Sequence, residues 1–202
     1  GKVTLGRARA ARASSRARDN AAKQAFLRDT GGQSAGMNYE ARLKQLMMRR
    51  PRLTLAVAES LTAGHMQARI AAVSGASNYF LGGVTAYNLE QKVKLLGVNR
   101  AHARRVNCVS QRVAVEMAHG VMEKFGADLA VATTGYAEPD RAAGVKAPMA
   151  WWAICQRLLN GRLALNSGTI EVPGADRTEA QARIAEDVVG LLVAHVAAWR
   201  GE

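Results

Sequence analysis

Three short stretches hold the side chains from which chemistry could be built: Glu59-Ser60, Tyr87 to Lys92, and Thr133-Thr134-Gly135. Each follows an apolar run that reads as a buried strand. In α/β sheets the carboxyl ends of the strands are where sites assemble. A serine at such an end, opening a helix, brings its hydroxyl near helix N-terminal N–H groups able to stabilise an oxyanion. A lysine within reach can serve as its base, provided burial or nearby positive potential lowers its pKa from about 10.4 toward neutrality. Lys92 stands one turn inside a helix beginning after Asn88, so the positive end of that helix dipole acts in the required direction. Residue types alone therefore allow amide hydrolysis by a serine and a lysine. They equally allow a plainer assignment, with Ser60 an N-cap and Lys92 a solvated helix residue.

The elements that must position these groups follow from periodicity. Residues 38–50 read as a helix with Leu43, Leu46 and Met47 on one face, stopped by Pro51. Leu53 to Ala58 is a buried strand, Leu61 to Val73 a helix ended by Ser74-Gly75, and Gly83 to Tyr87 a second strand. Asn88 with Gln91 forms a capping box for the next helix. Ser110 opens an amphipathic helix with Val113, Met117, Val121 and Phe125 at spacings of four, closed by Gly126. Asp128 to Thr134 is a strand. Met149 to Arg157 and Leu163 to Val172 are strands joined through Asn160-Gly161, and Asp176 with Glu179 caps a final helix to about Trp199. The expectation is an α/β domain over residues 38–202, a mixed sheet flanked by helices, without internal repeats.

The strings Ala58-Glu-Ser-Leu-Thr-Ala-Gly64, Ser74-Gly-Ala-Ser-Asn-Tyr-Phe-Leu-Gly-Gly83, Ala86-Tyr-Asn-Leu-Glu-Gln-Lys92, Leu96-Gly-Val98, Val109-Ser110 and Gly126-Ala-Asp-Leu-Ala-Val-Ala-Thr-Thr-Gly135 follow one another in a familiar order and spacing. From about Leu53 to its C-terminus the chain resembles the CinA C-terminal domain family, the competence-damage-inducible proteins that include nicotinamide mononucleotide deamidases. The resemblance implies Ser60 as nucleophile, Lys92 as its base, and Tyr87 as a hydroxyl assisting proton transfer. It assigns substrate binding to Glu59, Thr62, Thr134, Gly135 and Arg177. The implied reaction is hydrolysis of the carboxamide of nicotinamide mononucleotide, or a related nucleotide, to the carboxylic acid and ammonia, without metal or cofactor. An oligomeric state is also implied.

Two departures bear on the substrate. Where the family carries a Gly-x-Ala-Gly-Pro-Gly-Gly type of loop, this chain reads Gly135-Tyr-Ala-Glu-Pro-Asp-Arg-Ala-Ala-Gly144. Glu138 thus replaces a glycine. Glu138 and Asp140 would repel a phosphate unless Arg141 or Lys146 compensates. The family's second arginine, four residues after Arg177, is Gln181 here. Arg177 survives as the phosphate candidate.

Charge divides the chain. Of 28 Lys and Arg and 16 Asp and Glu, residues 1–52 hold 13 and 3, leaving a near-neutral remainder of 15 and 13. Residues 1–37 read as a basic, intrinsically flexible arm, too poor in apolar side chains to offset chain entropy. It admits three assignments: a solvated tail, a mitochondrial targeting segment, or an arm whose Arg7, Arg9, Arg12, Arg16 and Arg18 bind nucleic-acid phosphates or neighbouring chains. The last supplies an alternative function of a different class, a non-catalytic subunit of an organellar ribosome or respiratory complex. The compartments these readings imply are the mitochondrial matrix or a bacterial cytoplasm.

Other features exclude more than they suggest. Cys108 and Cys155 are too few for a disulfide framework or a four-thiolate zinc site, and no apolar run approaches the ~20 residues of a membrane span. Glu116 and His119 share an i,i+3 spacing found in di-iron bundles, but no second such pair exists. In Trp151-Trp152, strand alternation sends one ring inward and leaves the other outward, open to a partner subunit.

Overall fold

The computed structural model describes residues 38–202. The arm residues Arg7, Arg9, Arg12, Arg16 and Arg18, and the assignments resting on them, lie outside the described residues. In chain order the elements are α1 (Tyr39–Met48), β1 (Leu55–Glu59), α2 (His65–Ala71), a 3₁₀ turn (Ala76–Asn78), β2 (Phe80–Thr85), α3 (Leu89–Leu96), α4 (Arg100–Arg105), α5 (Gln111–Phe125), β3 (Leu129–Tyr136), β4 (Met149–Arg157), β5 (Leu163–Glu171) and α6 (Arg177–Trp199). The strands form one mixed sheet in the order β2-β1-β3-β4-β5. β1 runs parallel to β2 and β3, while β3–β4 and β4–β5 are antiparallel.

Helices cover both faces, and side-chain size differs between them. Ala56, Ala58, Ala130, Ala132, Ala153 and Cys155 share a cluster with Val113, Met117, Ala118, Val121 and Met122 of α5 and Leu96 of α3. Small sheet residues let α5 lie close to the strands. Its own packing is as tight: a Cβ added at Gly120 would stand 2.0 Å from the Leu96 carbonyl oxygen, so α3 and α5 touch through backbone. By strand alternation Leu55, Val57, Leu129, Val131, Trp152 and Ile154 face the opposite layer, where α6 packs with α1, α2 and β4. Gly190 of α6 admits the Tyr39 ring of α1, with 3.2 Å between that ring and an added Cβ.

The helix ends carry their expected caps. Asn88 Oδ1 accepts from the Gln91 amide at 3.0 Å, Ser110 Oγ from Val113 at 3.2 Å and Asp176 Oδ1 from Glu179 at 2.8 Å. Gly126 closes α5 in the left-handed conformation, φ 64°. At the amino ends of the two central strands, Thr54 donates from its amide and hydroxyl to Asp128, at 2.9 and 2.7 Å, fixing β1 against β3.

Several elements depart from expectation. β2 spans Phe80–Thr85, so Tyr87 lies beyond the strand rather than in it. α2 begins at His65, four residues after the expected start. α4 was not anticipated, because six residues of which only Ala103 is buried leave no apolar period. The hairpin expected at Asn160-Gly161 does form between β4 and β5, its loop closed by the Leu158 amide donating to the Arg162 carbonyl, with Gly161 at φ 76°. Trp152 is wholly enclosed, and Trp151 is half-buried against the α5 cluster instead of standing out from the sheet. Both faces of β4 are covered, which is why alternation exposes neither ring. No described helix is long and apolar enough to cross a membrane.

Candidate active site

Register brings the three junctions together. Glu59 pairs with Thr85, and Ala58 with Ala132, so the carboxyl ends of β1, β2 and β3 emerge side by side. Ser60 follows β1 directly. The chain then turns, Ala63 donating to the Ser60 carbonyl at 3.1 Å, with Ala63 at φ 51° and Gly64 at φ 103°. Only after this double left-handed step does α2 start.

Glu59 explains how the turn holds. Its carboxylate is fully buried and accepts from the amides of Gly64, Met66 and Gln67 at 2.9, 3.2 and 2.9 Å. It is the acidic cap of α2, supplied by the preceding strand. Two expectations change as a result. The first amides of α2 are committed to Glu59, so this helix terminus is not the oxyanion donor that the sequence suggested. Glu59 also lies outside the cavity lining, and so does Thr62, whose hydroxyl bonds Thr133 at 2.8 Å in the interior. Glu59 thus holds the turn that carries Ser60, and Thr62 ties that turn to β3.

Lys92 is 1% exposed, which sets aside the solvated-helix alternative. From the first turns of α3 its stem returns toward β2, and Nζ meets three oxygens: Ser60 Oγ at 2.8 Å, the Ala86 carbonyl at 2.8 Å and the Tyr87 carbonyl at 3.1 Å. The two carbonyls can only accept. A neutral amine has two N–H donors and one lone pair. With both donors turned to the carbonyls, the lone pair is left to receive the Ser60 proton. Burial holds the Lys92 pKa below that of an ordinary lysine, opposed by the nearby Cys108 side chain. The same burial raises the Cys108 thiol, with Lys92 pulling it down.

The pair opens into a cavity of about 580 Å³ lined by Ser60, Leu61, Tyr87, Lys92, Cys108, Thr134, Gly135, Tyr136, Glu138, Asp140, Arg141 and Arg177, among others. Neither Tyr136 nor Glu138 plugs it; both stand in its wall. Thr134 donates to the Cys108 carbonyl at 2.7 Å, joining β3 to the loop before α5, where Asn107 and Cys108 both take positive φ. Gly135 can line this wall only as glycine, since a Cβ there would lie 2.1 Å from the Met149 carbonyl oxygen.

Tyr87 is placed differently from expectation. Its carbonyl holds Lys92, while its ring is 52% exposed and its hydroxyl meets Arg177 Nη2 at 2.5 Å. The other terminal nitrogen of Arg177 donates to Glu138 Oε1 at 2.8 Å. Arg177, not Arg141 or Lys146, is therefore the cation that offsets Glu138. Cys108 and Asn107 also belong to the cavity and were missed as site residues; a positive φ at a non-glycine leaves no trace in sequence.

The histidines lie elsewhere. Glu116 accepts from the Asn99 amide at 2.9 Å and from Arg112, which accounts for its carboxylate structurally. Among the described residues no group of three or more His, Cys, Asp or Glu is gathered as a metal site would need.

Fold and site together define a three-layer α/β domain with a buried lysine facing a strand-end serine at the floor of an open cleft. The CinA C-terminal domain family matches residues 38–196, and the chain belongs to that family. Among curated relatives it is 40% identical over 136 residues to a CinA-like protein of Chlorobium limicola, covering 66% of this chain and 31% of that one. It is 41% identical over 120 residues to a CinA-like protein of Mycobacterium marinum, covering 59% and 28%. The chain thus spans about a third of the length of these relatives. A competence-damaged protein (CinA) superfamily structure from Klebsiella pneumoniae superposes with a TM-score of 0.72 at 25% identity, over 81% of this chain and all of that one. The competence/damage inducible protein CihA from Agrobacterium tumefaciens gives 0.66 at 26% identity, over 79% and 96%. None of these relatives lends support to a ribosomal, respiratory or RNA-binding role.

Proposed function

We propose that the domain is a serine/lysine amidohydrolase acting on the carboxamide of nicotinamide mononucleotide or a closely related pyridine compound. The observation that carries the reading is the 2.8 Å contact of Lys92 Nζ with Ser60 Oγ, made by an amine whose other donors are committed to main-chain carbonyls. Family membership supports a nucleotide-related substrate.

In this reading Lys92 accepts the Ser60 hydroxyl proton as Oγ bonds to the carboxamide carbon. The tetrahedral adduct collapses when Lys92 returns that proton to the departing nitrogen, which leaves as ammonia. An ester to Ser60 remains. Water then adds to the ester carbon, Lys92 taking its proton, and the carbon–Oγ bond breaks as the proton passes back to Ser60. The products are a carboxylic acid and the regenerated pair. Glu59 holds the Ser60 turn rigid, and the Ala86 and Tyr87 carbonyls keep the amine aimed.

Ammonia release from nicotinamide mononucleotide by the wild-type protein, compared with Ser60→Ala, tests the reading. Loss of release in the variant is expected. A folded wild-type protein inert toward every pyridine carboxamide refutes it.

A further inference from the structure

The mouth of the cleft is built to neutralise its own cations. Three basic side chains line the cavity: Lys92, Arg141 and Arg177. Lys92 is spent on Ser60 and two carbonyls at the floor. Arg177 commits one terminal nitrogen to Glu138, at 2.8 Å, and the other to the Tyr87 hydroxyl, at 2.5 Å. Arg141 has Asp140 as its neighbour in the lining. The ionised groups at the mouth, Glu138 and Asp140 against Arg141 and Arg177, therefore cancel. The N-terminus of α6 offers an anion little more, because Asp176 already supplies the carboxylate that its third amide bonds.

We propose that Glu138 makes the cleft select an uncharged, hydroxylated carboxamide, the riboside, over its 5′-phosphorylated counterpart. The inference rests on the amidohydrolase reading for the carboxamide but concerns the other end of the ligand. A phosphate dianion accepting from the remaining N–H groups of Arg177 would lie beside the Glu138 carboxylate, which repels it. Ribose hydroxyls face no such conflict: they donate to the Glu138 carboxylate and accept from Arg177 without breaking the pair. Tyr87, bridging from the opposite wall, holds the guanidinium in place for this.

The test compares two ligands on full-chain protein made inert by Ser60→Ala. Calorimetric binding of nicotinamide riboside should be at least as tight as that of nicotinamide mononucleotide. Adding the isosteric Glu138→Gln, at an exposed side chain where folding is not at risk, should tighten the mononucleotide on the order of tenfold, the effect of removing one like charge a few ångströms from a partly solvated phosphate. Riboside affinity should fall modestly as its hydroxyls lose a charged acceptor, so the mononucleotide-to-riboside affinity ratio should rise by about tenfold or more, and the mononucleotide gain should shrink at 1 M salt. A wild-type preference for the mononucleotide by tenfold or more, no response of the ratio to Glu138→Gln, or no binding of either compound would overturn the proposal. Ammonia assays on Ser60-containing protein separate the two readings. Release from neither compound, with the binding contrast intact, sinks the reaction and spares the selectivity. Release from both, with an unaltered mononucleotide preference in Glu138→Gln, does the reverse.

Discussion

The pH dependence of turnover examines the proposed base most directly. An ordinary lysine, with a pKa of about 10.4, is free base in roughly one molecule in 2,500 at pH 7. Lys92 departs from this because burial penalises its ammonium, while Cys108 opposes the shift. Each unit of lowering raises the free-base fraction about tenfold at neutral pH. Plotted as log kcat/KM, the rate should therefore climb with unit slope and level off at an apparent pKa below the ordinary lysine value. Folding stability carries the same titration with a definite sign. In the unfolded chain the amine keeps its proton up to about 10.4, whereas the folded protein releases it earlier. Between those two values the unfolded state binds more protons, so stability rises with pH relative to a Lys92→Met variant. Below the folded pKa both states are protonated and the burial penalty stands in full. Lys92→Arg sharpens the test, since a guanidinium keeps the charge but cannot surrender the proton. Its kcat should drop by about 10²–10⁴, the span of a lost general base. A flat profile, a break at the ordinary lysine value, or Lys92→Arg retaining more than about a tenth of wild-type kcat would refute the assignment.

Four further outcomes follow from particular contacts. Ser60→Ala should abolish ammonia release and any covalent ester detected by mass spectrometry, while binding calorimetry still registers ligand. Glu59→Ala, which leaves three amides at the start of α2 without their buried acceptor, should cost about 2–4 kcal/mol in urea denaturation. Gly120→Ala should cost about 1–3 kcal/mol, because the clash is with the Leu96 backbone and no flexible side chain can yield. Asp187 has its pKa raised from 3.8 to about 6 by burial, with Glu186 adding and Arg183 opposing. A raised carboxyl makes the folded state bind more protons between these values, so stability falls as pH rises through them. Asp187→Asn should then be the more stable protein at pH 8, by about 1–2 kcal/mol after discounting for solvent contact, and lose that advantage near pH 4.

What the sequence made legible was whatever depends on near neighbours. Three caps, at Asn88, Ser110 and Asp176, are visible because the accepting side chain and the donor amide lie three residues apart. The α5 stripe is visible because its buried residues recur with the helical period. The serine and lysine could be singled out from their places at element junctions and from family motifs, although their contact spans 32 positions of sequence. What stayed hidden was the use of each polar group when several partners compete. Glu59 reads as a strand-end carboxylate open to a substrate until the double left-handed step at Ala63 and Gly64 folds three amides onto it. Tyr87 reads as a catalytic hydroxyl until β2 ends two residues earlier and turns its ring to the mouth. The pairing of Glu138 with Arg177, 39 positions apart, has no local signature at all.

These hidden contacts bear on why the fold tolerates a lysine that works against it. A buried amine lowers stability at neutral pH, so its neighbourhood must be held by interactions that do not themselves titrate. The Ala86 and Tyr87 carbonyls do so from backbone just beyond β2, and the alanine-lined face of the sheet lets α5 press on α3, fixing the helix that carries Lys92. Enlarging that face should therefore loosen the amine before it unfolds the domain. Ala132→Val, on β3 where it packs with the α5 cluster, is expected to cost about 1–3 kcal/mol by overpacking. It should also move the kcat/KM break toward the ordinary lysine value as water gains access to Nζ. A variant destabilised to that degree whose break does not move would show that Lys92 stays shielded from water without the packing behind α3.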